Sequence, residues 1–198
     1  MAWTLVGLGN PGAEYAKTRH NAGRIALSAF VDAHSLGEWK ENLKIPAHIA
    51  RGSVDKSLVV CVLPDTFMNK SGAAVLPYVK SVKAAEKLVV LYDDLDLPLG
   101  KIKVSFDRGS GGHKGIESIA RALKTKAFWR VRIGVSPVTA SGKLRKPSGE
   151  KDVLEFILGT FSPSELAVLK KVSTQSAHVL ETMLTEGPLR AMNECNTG

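Results

Sequence analysis

The chain has 198 residues, 44% of them hydrophobic, and a formal net charge of +8. This length fits one domain with its own core, and no apolar run approaches the roughly 18 residues of a membrane span. The first predicted strand begins at residue 3, which leaves no room for a signal segment. Cys61 and Cys195 form neither a disulfide framework nor a zinc motif, so we expect a reducing, cytoplasmic location.

Apolar periodicity and turn residues predict six strands and five helices. In chain order they are strand 3–8, helix 21–35, strands 47–54 and 57–63, helix 71–83, strands 88–92 and 101–106, a helix ending at 123, strand 128–135, helix 151–158 and helix 163–186. Asn21, Ser71 and Ser162 are the predicted helix caps. Strands alternating with helices, plus one hairpin, predict an α/β fold with a mixed, mostly parallel sheet and helices on both faces. We expect one domain over residues 1–190 and a C-terminal tail over 191–198.

The loop after the first strand contains the dinucleotide-binding pattern G-x-G-x-x-G, at residues 7–12. That pattern requires a helix that opens within it and directs backbone N–H groups at a pyrophosphate. Here Pro11 removes one N–H, and the next helix begins only near Asn21. Asp32, which has the spacing of a ribose ligand, falls inside that helix. The sequence therefore argues against a dinucleotide site.

Positive charge is concentrated between residues 101 and 151. This segment has 13 Lys and Arg against three acidic residues, a net of +10, so the rest of the chain sums to −2. A solvated face is the ordinary explanation of such a run. Confinement of the charge to one part of a folded chain instead favours a polyphosphate partner, and the motifs strengthen that preference. Within this segment, residues 138–149 are predicted to form a mobile basic loop.

Four motifs together resemble the bacterial-type peptidyl-tRNA hydrolase family. The first is G-L-G-N-P-G-x-x-Y-x-x-T-R-H-N-x-G, beginning at Gly7. The others follow in the family's order at residues 66–72, 93–98 and 109–115, and the resemblance covers residues 3 to about 190. It implies a single three-layer α/β/α domain that cuts the ester between a peptide and the 3′ ribose of tRNA. It implies no cofactor and no metal, and we expect a monomer with no membrane contact.

The resemblance implies that His20 is a general base that activates water and that Asp93 orients it. A neutral imidazole can accept a proton from water near pH 7, and a carboxylate on its other nitrogen fixes the tautomer. A lone histidine is more often structural, and an aspartate at a strand end can be a cap or a salt-bridge partner. Asp94 and Asp96 are alternative carboxylates nearby.

Seven further residues match substrate-contacting positions of the family. They are Asn10, Tyr15, Phe67, Met68, Asn69, His113 and Lys114. The two carboxamides can bind a peptide backbone and a developing oxyanion, although each alone could stabilise a turn. The apolar side chains would line the wall near the last peptide residue, with core packing as the alternative, chiefly for Phe67. His113 is either a second wall of the site or a packing residue of its loop.

The sequence departs from the family at two positions. Lys114 replaces the usual Asn, so an acceptor for the peptide N–H is lost and donors alone remain. Arg132 matches the arginine that grips the 5′ phosphate of tRNA, but Ser105 stands where its lysine partner is usual. We predict that Lys103 or Arg108 takes the place of that lysine. A lysine pointing to solvent is the alternative for position 114.

Two other functions remain open on the sequence. Clustered carboxylates with a histidine suit a hard cation, so Asp93, Asp94, Asp96 and His113 could serve a metal-dependent phosphohydrolase. A non-catalytic RNA-binding relative is the second alternative, and the presence of His20 and Asp93 argues against it.

Overall fold

The computed structural model of the chain describes residues 2–197, which contain seven strands and seven helices. In chain order they are β1 (Trp3–Gly7), α1 (Ala22–Ala33), β2 (Lys40–Asn42), β3 (Ala47–Val54), β4 (Ser57–Pro64), α2 (Ser71–Val75), α3 (Val82–Ala85), β5 (Leu88–Pro98), β6 (Ile102–Phe106), α4 (Lys114–Leu123), β7 (Trp129–Ser136), α5 (Glu150–Leu158), α6 (Pro163–Thr185) and α7 (Pro188–Thr197). None of these helices is both long enough and apolar enough to cross a bilayer.

The strands form one sheet in the order β2-β3-β4-β1-β5-β7-β6. Strands β4, β1, β5 and β7 are parallel neighbours, whereas β3 and β6 pair antiparallel. The predicted mixed sheet is therefore confirmed, with its three parallel pairs at the centre and antiparallel pairs at both sides. Because β1 and β5 are adjacent and parallel, the loop after β1 and the carboxyl end of β5 meet at one edge of the sheet.

Helices cover both faces of the sheet, which confirms the predicted three-layer α/β/α domain. On one face, α1 and α6 bury a core that includes Leu27, Phe30 and Leu180. On the other face, α2 and α4 pack over a second core that includes Ile116 and Ile119. The continuous apolar strands β1 and β5 contribute to both cores, as expected for strands buried on two sides.

The predicted helix 71–83 is wrong, because the segment is interrupted. Helix α2 ends at Val75, and a second short helix, α3, begins at Val82. Pro77 lacks an N–H and its ring obstructs a continuing helix, which accounts for the break. Ser71 is not a cap, since its hydroxyl donates to the carbonyl of Met68 at 2.8 Å. The cap is Ser81, whose Oγ accepts from the N–H of Ala84 at 3.0 Å.

The C-terminal helices differ from expectation in one respect. Ser162 forms the predicted cap of α6, and it exchanges hydrogen bonds with Glu165 in a capping box. The expected tail from residue 191 is instead the larger part of α7. The Asn196 side chain donates to the carbonyl of Val104 at 2.9 Å and accepts from its N–H at 3.0 Å. Helix α7 therefore occupies backbone groups of the edge strand β6.

We predict that Gly23→Ala lowers the free energy of unfolding by about 1–3 kcal/mol, the usual cost of overpacking. A Cβ at Gly23 would lie 2.2 Å from the carbonyl oxygen of Leu91, because α1 sits directly on β5 there. Urea unfolding measures the loss. The control is Gly109→Ala, where a Cβ would meet nothing within 4 Å. Equal stability of the two variants would contradict this account of how closely α1 approaches the sheet.

Candidate active site

The loop after β1 is held by a reciprocal pair of hydrogen bonds between Asn10 and Asn21. The N–H of Asn10 donates to Oδ1 of Asn21 at 2.8 Å, and Nδ2 of Asn21 donates to the carbonyl of Asn10 at 3.0 Å. The predicted capping role of Asn21 is wrong: it precedes α1, but its side chain makes no capping bond. The amide instead fixes the loop against the short 3-10 turn Arg19–Asn21, which carries His20.

A second contact attaches the loop after β4 to the same place. The backbone N–H of Met68 donates to Oδ1 of Asn10 at 3.0 Å. Met68 is 5% exposed, and a Cβ on Gly115 would lie 2.5 Å from its sulfur. Glycine at 115 thus permits the start of α4 to approach this loop. Residues 9–12, 66–70 and 113–115 therefore converge at the carboxyl edge of the sheet.

The structure brings His20 and Asp93 together, 73 residues apart in sequence. Nδ1 of His20 lies 2.9 Å from Oδ1 and 3.0 Å from Oδ2 of Asp93. Both side chains are buried, with residue exposures of 7% and 3%. An ionised carboxylate only accepts hydrogen bonds, so Nδ1 is the protonated nitrogen of His20. In the neutral ring, Nε2 is therefore unprotonated and able to accept a proton.

His113 is a second imidazole on the same carboxylate. Its Nε2 lies 3.1 Å from Oδ1 of Asp93, and its ring packs 5.0 Å from that of His20, centroid to centroid. Its Nδ1 caps α4, accepting from the N–H groups of Gly115 at 3.2 Å and Ile116 at 3.4 Å. These amides leave the proton on Nε2, which donates to Asp93. His113 therefore contacts both members of the pair, while its role as a wall of the substrate site stays a prediction. The position of His113 immediately before a predicted helix was the sequence feature that could have indicated its capping role.

The two imidazoles keep Asp93 ionised. Burial acts to raise the pKa of this carboxyl, but the charges and hydrogen bonds of His20 and His113 outweigh it. The pKa of Asp93 is therefore held well below its usual range. A carboxylate in this state can orient the ring of His20 and stabilise an imidazolium that forms on it.

The other predicted substrate residues differ in how far they are exposed. Phe67 is 61% exposed, so the core-packing alternative for it is wrong. Asn69 is exposed and Tyr15 is half-buried. Lys114 pairs with Glu150: its Nζ lies 3.3 Å from Oε1 of Glu150, and its side chain is 65% exposed. Contacts of all these residues with a substrate stay predictions.

The four residues of the metal alternative do not converge. Asp94 accepts from Nε of Arg132 at 2.7 Å, on the opposite side of β5 from Asp93. Asp96 is paired with Nζ of Lys146 at 2.6 Å. Among residues 2–197, the potential metal-ligand cluster is His20, Asp93 and His113, with ligand atoms within 4.8 Å of one another. A metal ion there would have to displace the protons that now join both imidazoles to the carboxylate.

The predicted phosphate-binding residues lie near the same edge of the sheet, on the face that carries Asp94 rather than Asp93. Lys103 stands directly opposite Arg132 in the antiparallel β6–β7 ladder, so the two side chains share a face. Ser105 stands opposite Arg130. Lys103 and Arg108 are exposed, whereas Arg132 is 7% exposed and is fixed by Asp94.

The fold and this site define a single-domain α/β protein with a buried imidazole–carboxylate group at one sheet edge and a basic face beside it. The family model described as peptidyl-tRNA hydrolase matches residues 4–198. The chain therefore belongs to the peptidyl-tRNA hydrolase family, and the resemblance in the four motifs is confirmed.

Individual relatives agree over nearly the whole chain. A peptidyl-tRNA hydrolase of Aquifex aeolicus is 38% identical over 194 residues, covering 97% of this chain and 95% of that protein. One of Chloroflexus aggregans is 39% identical over 197 residues, covering 98% of each. The crystal structure of the Acinetobacter baumannii enzyme matches with a TM-score of 0.85 at 31% identity, covering 98% of this chain and 94% of that chain.

We predict that lowering the pH reduces the free energy of unfolding more in the wild-type protein than in the Asp93→Asn variant. A depressed carboxyl pKa contributes stability that is present above the ordinary value of about 3.9 and is lost as pH falls through the lower folded-state pKa. From about pH 4.5 down to about pH 3, the free energy of unfolding should therefore fall more steeply for wild type. Urea titrations at each pH measure the difference, and parallel curves would contradict the assigned charge state.

Proposed function

We propose that this protein hydrolyses the ester bond between a peptide and the 3′ ribose of tRNA, and so recycles peptidyl-tRNA in translation in the cytoplasm. Membership of the family suggests the substrate. The observation that carries the proposal is the buried pair of His20 and Asp93, which leaves Nε2 of His20 available as a base. The basic face beside the pair suits the phosphates of the tRNA.

In the proposed reaction, water is the nucleophile. Nε2 of His20 takes one proton from the water as its oxygen bonds to the ester carbonyl carbon. Asp93 stabilises the imidazolium that forms. Collapse of the tetrahedral intermediate breaks the bond to the ribose 3′ oxygen, which receives the proton from His20. The products are a peptide carboxylic acid and a tRNA with a free 3′ hydroxyl.

The surroundings of the pair suggest roles for the remaining polar residues. Oδ1 of Asn10 already accepts from Met68, so its Nδ2 group is the part that can donate to an oxyanion or a peptide carbonyl. The exposed carboxamide of Asn69 can contact the substrate with either end. His113 acts as a positioning residue, because its fixed Nε2–H holds Asp93 in the orientation that serves His20.

We expect the apolar residues to contact the peptide and the basic residues to contact the tRNA. Tyr15 and Phe67 follow β1 and β4 and would contact the peptide end, whereas Met68 is 5% exposed and packs in the core. Arg132, Lys103 and Arg108 lie on the side of β7 and β6 and would contact tRNA phosphates. The placement of Lys103 directly opposite Arg132 supports it as the substitute for the missing lysine at Ser105.

His20→Ala should reduce turnover of an N-acetyl-aminoacyl-tRNA by about 10²–10⁴-fold, the usual contribution of a general base, while tRNA affinity stays within a few-fold. Asp93→Asn should be less severe, because the ring persists without its orienting charge. His178→Ala, which removes an exposed imidazole on α6, is the matched control. Wild-type-like turnover in His20→Ala would sink the mechanism. Loss of wild-type turnover on adding a chelator would revive the metal alternative.

Arg132→Ala should reduce the preference for tRNA with a 5′ phosphate over tRNA with a 5′ hydroxyl, and Ser105→Lys should increase it. The first change removes a charge that salt screens, and the second supplies the lysine that is usual in the family. Dissociation constants for both RNAs at several salt concentrations measure the preference. If neither variant alters it, the position of the 5′ phosphate has been assigned wrongly.

A further inference from the structure

An open cavity of about 660 Å³ lies between α4 and the β6–β7 edge of the sheet. Five basic residues contribute to its lining: Arg108, Arg121, Lys124, Lys126 and Arg130. Two acidic residues, Asp107 and Glu117, also line it. The residues that line it do not include His20, Asp93 or His113.

Arg130 is the most constrained residue of the cavity. It is fully buried, and its guanidinium lies over the ring of Phe128, 4.2 Å from the centroid. Its terminal nitrogens donate to the carbonyls of Phe128 at 3.1 Å and Lys126 at 3.3 Å, whereas its Nε has no hydrogen-bond partner among the described residues. Directly opposite, the buried hydroxyl of Ser105 also lacks a hydrogen-bond partner within residues 2–197. Burial of a cation with incomplete compensation is unfavourable unless an anion lies close by.

Within the described part of the chain, carboxylates compensate this charge only in part, since Asp107 acts on Arg130 without forming an ion pair with it. Glu117 accepts a hydrogen bond from the hydroxyl of Ser110, at 3.0 Å. Among residues 2–197, none of the five cavity cations forms an ion pair, whereas Arg19, Arg24 and Arg132 each pair with a carboxylate. Burial lowers the pKa of Arg130; Tyr92 and Asp107 act to raise it, and the charges of Arg108 and Arg132 act in the same direction as burial. Positive charge in this cavity is therefore concentrated and only partly neutralised.

We propose that the cavity is a second phosphate subsite, which binds a backbone phosphodiester of the tRNA stem. The proposal rests on the proposed function. Arg130 and Arg132 point to one face of β7 two residues apart, a separation of about 6.6 Å, so the strand presents two neighbouring anion positions. Arg132 serves the first position. Arg130 supplies the buried charge of the second, and Arg121 and Lys124 of the α4 end contact the phosphate from outside.

The test measures binding of deacylated tRNA, with a 5′ phosphate or a 5′ hydroxyl, across a range of salt concentrations. The variant is Arg121→Gln/Lys124→Asn. Both residues are exposed, and Asn tolerates the left-handed backbone of Lys124 (φ 54°). The control is Lys170→Gln/Lys171→Gln, which removes the same charge from exposed positions of α6 on the other face.

Loss of two phosphate contacts should weaken binding roughly tenfold and reduce the salt slope by about two, equally for both RNAs. The control should change affinity less than twofold. Equal behaviour of variant and control would overturn the proposal. So would a variant that loses competition by inorganic phosphate but binds tRNA normally, since the occupant would then be free phosphate.

The outcome is separable from that of the proposed function, because binding of deacylated tRNA involves no hydrolysis. Turnover of N-acetyl-aminoacyl-tRNA together with variant and control that bind alike would contradict the subsite alone. Cavity-dependent tRNA binding by a wild-type protein that shows no turnover would contradict the hydrolase alone.

Discussion

The ionised carboxylate of Asp93 is the group on which the arrangement of the site depends. It is almost completely buried, and it accepts from His20, which precedes α1, and from His113, which caps α4. A buried charge is tolerated only where charged or hydrogen-bonding partners compensate it. Removing either imidazole would leave that charge less compensated. The same contact therefore joins three separate elements and determines which nitrogen of His20 is free.

Two consecutive residues of β5 have different partners: one carboxylate contacts imidazoles and the next contacts a guanidinium. Successive side chains of a strand point to opposite faces, so Asp93 and Asp94 diverge. Asp93 faces the imidazoles, whereas Asp94 fixes Arg132 on the basic face. Ester chemistry and phosphate binding are thus proposed on two faces of one strand. Because Asp93 and Asp94 are consecutive residues of β5, the position proposed for the tRNA phosphate is fixed relative to the position proposed for the ester.

The two departures from the family, Lys114 and Ser105, lie outside the contacts between Asp93 and the two imidazoles. Lys114 pairs with Glu150 and so connects the start of α4 with α5, while Lys146 of the basic loop pairs with Asp96. Exposed ion pairs of this kind contribute about 0–1 kcal/mol, so both contacts can exchange readily for contacts with a substrate. Ser105, in contrast, has a buried hydroxyl opposite Arg130 that finds no hydrogen-bond partner among residues 2–197.

From the sequence alone we predicted the apolar strands, the hairpin, the Ser162 cap of α6 and the edge of the sheet on which His20 and Asp93 lie. Those features depend on local periodicity and turn chemistry, which nearby residues carry. The break at Pro77 was also local, and the sequence could have shown it. Only the tertiary structure decided that Asn21 bonds to Asn10 rather than capping α1, that His113 shares Asp93 with His20, and that the basic residues around Arg130 enclose a cavity. Each of these depends on strand register and on how closely a helix approaches the sheet, since the partners come from separate elements and no local pattern fixes the distance between them.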